Sequence, residues 1–407
     1  MPGPLDGLVV LDLSRILAGP TATQLLADLG AHVLKIERPG RGDDTRGWGP
    51  PFLKNAAGAD TRESAYYLCA NRGKKSLAID IASAEGQQIL RELAGKADIL
   101  IENFKLGGLA KYGLDYASLA PEHPGLIYCS ITGFGQTGPL AHRAGYDFLI
   151  QGMGGIMSLT GTPDGGPMKV GVGIADVMCG MYAATAILSA LHARHNTGKG
   201  QYIDISLLDS QLAWLINQGQ GYLVDGQVPP QRGNEHPTIV PYGTFPGADG
   251  AFIIAVGNDD QFARFCETAG RADLAADPRF AKNTDRVRNR ATLIPMLNDI
   301  TATRTRADWI ATLETAGVPC GPVHDLAEAF AQPQAQAREM TVTLPHPVSG
   351  EVTLIGNPIK MSETPVDYQA APPLLGADTG ATLRALLGAD TDQLKAWQAT
   401  GAIGGEI

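Results

Sequence analysis

The chain has 407 residues, 44% hydrophobic and 18% charged, with a formal net charge of -10. That length and apolar content describe a well-cored globular protein of two domains, and an acidic charge spread without blocks argues against nucleic acid or an anionic membrane as partner. Five cysteines with no C-x-x-C spacing fit a reducing, cytoplasmic setting, the opening Met-Pro-Gly-Pro-Leu-Asp lacks the regions of a signal peptide, and no apolar run reads as long enough to cross a bilayer.

In chain order, Leu8 to Leu13 has the pattern of a buried strand. A turn from Ser14 leads to Pro20, which suits a first helical turn, and a helix from Thr21 to Leu29 stops at Gly30. His32 to Glu37 is the next strand, so a βαβ unit opens the chain and a parallel sheet with right-handed crossovers is expected. The first turn holds Gly19 but no G-x-G-x-x-G, which disfavours a nicotinamide or flavin despite the acidic end of the second strand. Strands are expected again at 76–81, 99–102 and 126–131, with helices at 84–95 and 108–112 and a turn-rich loop from Gly133 to Pro139. A short extended segment at 170–174 then meets a small-residue helix from Val177 to Asn196, followed by a strand at 202–206 and a helix at 207–218. Beyond a Pro- and Gly-rich linker at 225–241, a hairpin (243–246 and 251–256) and amphipathic helices make a smaller α+β domain. A second hairpin, 342–344 with 352–354, returns to the first domain. The fold class is α/β, a Rossmann-like doubly wound parallel sheet, with domain bounds 1–222, 223–330 and a C-terminal return at 331–407.

One carboxylate stands out. Asp176 lies at the join of the apolar segment and the small-residue helix with no Lys or Arg nearby in sequence, an arrangement that suits a helix N-cap or a nucleophile kept ionised by helix amides. Two cationic groups, Arg38 with Arg41 and Arg46, and Asn71-Arg72-Gly73-Lys74-Lys75, follow separate strands and suit a phosphate-rich ligand, or else solvated loops. Asn103 and Phe104 offer an amide and a ring to a base, although Phe104 equally suits a core. Tyr146 can donate its hydroxyl to a carbonyl and Asp147 can order it, with packing as the plainer alternative for both. His236 in the linker is a candidate substrate contact or an exposed loop residue. No His or Cys set has metal-ligand spacing.

From end to end the chain resembles the family III coenzyme A transferases, the superfamily of formyl-CoA transferase, carnitine CoA-transferase and α-methylacyl-CoA racemase. The resemblance rests on Leu5 to Arg15 with Leu17-Ala18-Gly19-Pro20, Leu25 to Ala31, Lys35-Ile36-Glu37, Asn71 to Ser76, Glu102-Asn103-Phe104, Gly133-Phe134-Gly135, Ile174-Ala175-Asp176 and Gly198 to Gln201. It implies that Asp176 attacks an acyl-CoA thioester, with coenzyme A a substrate and no tightly bound cofactor. It also implies CoA contacts at Arg15, Leu17, Ala18, Arg38, Leu68, Lys75, Asn103 and Phe104, with Arg72 added from the cationic cluster, and an interlocked homodimer. Racemases of the superfamily carry His where this chain has Tyr146, and an ordinary phenol is a poor base, so a transferase is expected. The linker Glu235 to Gly243 is similar to that of the branch using dicarboxylic acids such as glutarate and succinate. A racemase and a non-catalytic CoA- or dinucleotide-binding protein are the alternatives.

Overall fold

The computed structural model describes residues 3–407. The chain divides into two units. The larger holds the residues up to Ile156, then Lys169–Gly226 and Gln334–Ile407, and the smaller holds Met157–Met168 and Gln227–Pro333. The excursion at Met157–Met168, which the expected boundaries kept in the first domain, therefore belongs with the second unit.

In the larger unit the strands are β1 (Val9–Asp12), β2 (His32–Glu37), β3 (Phe52–Lys54), β4 (Asp60–Ser64), β5 (Lys74–Ile79), β6 (Ile99–Glu102), β7 (Ile127–Thr132) and β8 (Tyr202–Ser206). The smaller unit contributes β9 (Tyr242–Gly247), β10 (Gly250–Ala255) and β11 (Cys320–Pro322), and the returning chain adds β12 (Thr341–His346), β13 (Gly350–Ile355) and β14 (Ile403–Gly404). The main sheet runs β14-β5-β2-β1-β6-β7-β8. All its pairings are parallel except that of β14, which caps the β5 edge antiparallel. Its central strands are buried on both faces, which is why Ile99-Leu100-Ile101 and Ile127 to Ile131 read as unbroken apolar runs rather than alternating ones. Val10, Ile99 and Ile101 face one core with the first helix (Ala18–Asp28), while Leu11, Leu34 and Leu100 face the other.

The smaller unit packs the β9-β10-β11 sheet and its helices around Phe252, Phe262, Phe265, Phe280 and Trp309. The hairpins β9–β10 and β12–β13 lie where the turn residues place them. The β3–β4 hairpin and β14 carry no strong apolar alternation and do not stand out in the sequence.

The helix Ile174–Thr197 differs from expectation in three ways. It begins at Ile174, so Asp176 occupies its first turn and Gly173, not Asp176, is the N-cap. The segment before it is irregular rather than a strand, with the Val170 amide donating to Gln151 Oε1 at 2.9 Å. At 24 residues it is also long and apolar enough to cross a membrane by composition, which the sequence reading had discounted; here Ala183, Ile187 and Ala190 join the core of the larger unit. Small residues let it approach the first helix closely: a Cβ at Gly180 would meet the Ala18 carbonyl oxygen at 2.6 Å. That approach brings the first turn of one helix beside the start of the other.

Candidate active site

Asp176, Tyr146, Arg15, Leu17, Ala18, Asn103 and Phe104 line one cavity of about 440 Å³ at the C-terminal ends of the central strands, where open α/β sheets present ligands. Two of its other walls, Lys111 and Arg143, were missed because each is an isolated basic residue in a loop remote in sequence from the rest. Together with Arg15 and Lys105 they give the cavity four strong cations against the carboxylates of Asp44 and Asp176, a balance suited to a phosphate-bearing ligand.

Burial pushes the Asp176 carboxyl up to about 7, and the neighbouring Asp147 charge adds to this. Among the described residues no cation or hydrogen bond offsets either effect, so desolvation prevails over the helix amides expected to keep the group ionised. Asp147 orders Asp176 rather than Tyr146. Its Oδ1 accepts the Ala175 amide at 2.8 Å, capping the Asp176 helix from outside, and Gln151 Nε2 donates to its Oδ2 at 2.8 Å. Tyr146 is 65% exposed at the cavity rim. Tyr66 is a further neighbour: its phenol is raised to about 12 by burial and by the charges of Asp176, Cys69 and Asp147.

The turn between β1 and the first helix is held from two sides. Asn103 accepts the Arg15 amide at 2.9 Å and donates to the Arg15 carbonyl at 2.7 Å, so its amide is committed to the turn rather than to a base. The Ile16 amide donates to Asp43, which receives Lys35 Nζ at 2.8 Å. Ile16 sits at φ +72°, a region costly for a β-branched residue. Phe104 keeps its candidate place: the Arg15 guanidinium lies 5.5 Å from its ring centre and its amide donates to Glu102 at 2.7 Å. Burial holds Glu102 up at about 7 against the hydrogen bonds from Ser130 and the Phe104 amide.

The remaining expected contacts do not line this cavity. Arg72 is buried, pairs with Asp28 through two hydrogen bonds of 2.8 and 2.6 Å and donates to the Ile355 carbonyl, so it braces the β12–β13 hairpin rather than a phosphate. Lys74 and Arg46 from the same cationic groups are likewise buried and paired, Lys74 with Asp12 and Arg46 with Glu37 and Glu63. The Leu68 side chain packs with Leu344, Val352 and Leu354. Arg38 and Lys75 are exposed elsewhere on the larger unit. His236 belongs to the smaller unit, where its ring packs 5.1 Å from Tyr242 and accepts the Thr238 amide.

Residues 5–379 match the model of CoA-transferase family III. The chain is 49% identical to the succinate–glutarate CoA-transferase of Agrobacterium fabrum over 92% of this chain and 93% of that protein. It is 42% identical to the acetyl-CoA:oxalate CoA-transferase of Acetobacter aceti over 94% and 95%. A crystal structure of a CaiB/BaiF family protein from Brucella suis superposes with a TM-score of 0.85 at 49% identity, covering 95% of this chain and all of that one. The family match across the chain, together with these likenesses, identifies the chain as a member of CoA-transferase family III.

Proposed function

We propose that this enzyme moves coenzyme A from succinyl-CoA to a dicarboxylic acid, with Asp176 as the covalent carrier. The observation that carries the reading is a cavity-facing carboxylate with no cation to quench it, among basic residues fit for the CoA phosphates. An Asp176 oxygen attacks the thioester carbonyl, the C–S bond breaks, and CoA leaves as thiolate while a mixed anhydride forms. The thiolate attacks the aspartyl carbonyl and expels succinate, leaving an aspartyl-CoA thioester. The acceptor carboxylate then attacks that carbonyl, the thiolate leaves again, and its attack on the acceptor's carbonyl yields the new thioester and frees Asp176. No net proton is taken up. A carboxylate with its pKa near 7 is a better nucleophile than an ordinary one, and a partly dry corner shelters the anhydride from hydrolysis.

The dicarboxylic class is supported by the relatives, named for glutarate and for oxalate. A homodimer is supported by apolar side chains left exposed on the helix Ile216–Asp225, among them Tyr222, Leu223 and Val224. Five free thiols support a reducing compartment. The test is a screen of succinyl-CoA against mono- and dicarboxylic acids, followed by hydroxylamine trapping and mass spectrometry. The expected result is exchange with a diacid and a modified Asp176, with turnover lost at least about a thousandfold in Asp176→Asn. A substituted enzyme that still transfers CoA would sink the reading. Deuterium exchange at Cα without an acceptor would favour a racemase instead.

A further inference from the structure

We propose that Arg62 binds the free carboxylate at the far end of the acid, and so selects dicarboxylic over monocarboxylic acceptors; this rests on the dicarboxylate reading above. A second cavity, of about 1130 Å³, adjoins the Asp176 cavity and shares Ile16, Asp44 and Tyr146 with it. Its wall includes Trp48, which packs edge-on against Tyr66 with ring centres 5.1 Å apart, and Tyr66 is the phenol that feels the Asp176 charge. An acid lying along this aromatic wall would run from the rim shared with the Asp176 cavity, at Ile16, Asp44 and Tyr146, toward the residues of β4.

The charged groups of that cavity are three arginines and three carboxylates, and five of the six are engaged. Arg46 is buried and holds Glu37 and Glu63. Asp43 belongs to Lys35, and Asp44 is shared between Arg15 and Arg41. Arg62 is exposed and forms no ion pair among the described residues; it only weakly opposes the rise that burial imposes on the neighbouring Glu63 carboxyl. An uncommitted guanidinium in a partly apolar cavity matches a carboxylate in shape and charge, through two parallel N–H···O bonds. A monocarboxylic acid of the same length would leave that guanidinium without a partner, and the space around Trp48 and Phe52 would not by itself exclude it.

The experiment compares kcat/KM for glutarate and for valerate, equal in carbon number, with succinyl-CoA as common donor, in the wild type, Arg62→Met and Arg62→Lys. The glutarate-to-valerate ratio should fall about 10- to 100-fold in Arg62→Met, as expected for one lost charge-assisted contact, with Arg62→Lys between. A ratio within about threefold of the wild type in Arg62→Met, or an Arg62→Lys enzyme no better than Arg62→Met, would overturn the role of Arg62 while leaving the dicarboxylate reading in place. A wild type that transfers CoA to no dicarboxylic acid overturns both.

Discussion

Two sets of carboxylates shielded from water, one fully and one in part, flank the same strand-to-helix turn and meet opposite fates. At the ends of β1 and β2, Asp12 and Asp43 are buried, yet lysines hold both below the ordinary carboxylate range, Asp12 through Lys74 and Lys35 and Asp43, at about 2, through Lys35. Across the turn Asp176 is half-buried at the cavity wall with no ion-pair partner among the described residues, and desolvation raises it to about 7. Desolvation opposes ionisation in all three, so the partner decides the outcome. A paired carboxylate becomes part of the scaffold, whereas an unpaired one keeps the basicity that nucleophilic attack needs.

Removing a partner from the first set is the harshest way to erase that difference. Lys35→Met leaves Asp43 buried without its cation, and should destabilise the fold by about 3–5 kcal/mol in urea denaturation. A loss below about 1 kcal/mol would mean that the network is not held by its ion pairs. Asp43 is lowered on folding, so its contribution is present above an unfolded pKa near 4 and fades as pH falls toward 2. The wild type should lose stability across that acid window, and Lys35→Met should lose less of what remains.

Changing the second set should move a titration rather than the fold. Asp147→Asn keeps an oxygen for the Ala175 amide and removes the like charge beside Asp176, at the cost of the hydrogen bond from Gln151 Nε2, which an amide nitrogen cannot accept. With Asp176 as the proposed nucleophile, attack would require its ionised form, and the rate should rise with pH through a pKa near 7. In Asp147→Asn that rising limb should shift to lower pH while staying above the ordinary carboxylate range, because burial is the larger cause. An unmoved limb would show that Asp147 acts on Asp176 only as a cap.

The parallel sheet and the cavity-lining position of Asp176 were legible because their signals are local: unbroken apolar runs for two-sided strands, and an acid without neighbouring cations. The cationic clusters misled for the same reason. Asn71 to Lys75 reads as a phosphate loop, but Arg72 and Lys74 find their carboxylates at Asp28 and Asp12, far away in sequence, and the fold spends both on itself. Asn103 was rightly placed at the cavity yet holds the Arg15 backbone, a partner 88 positions away. Lys111 and Arg143 were invisible because a lone basic residue in a loop acquires meaning only when the sheet gathers it. The β3–β4 hairpin, which carries Arg62, has neither an apolar alternation nor a tight Asn-Gly turn to announce it.

The mildest perturbation falls between the two sets, at Ile16. Its φ of +72° is held because Asp43 receives its amide and Asn103 grips Arg15 before it. Glycine adopts that conformation freely, and Ile16→Gly should relieve strain of about 1–3 kcal/mol. The unfolded glycine chain has more freedom to lose, about 1 kcal/mol, and partly buried isoleucine contacts vanish, so stability should change by no more than about 1 kcal/mol. The acyl-CoA KM should nevertheless rise, because the Ile16 side chain lines both cavities and its stiff backbone fixes where Arg15 and Leu17 stand. An unchanged KM would make the strained turn a by-product of the paired network; a raised KM with intact stability would show that the scaffold's ion pairs are what aim the cavity at Asp176.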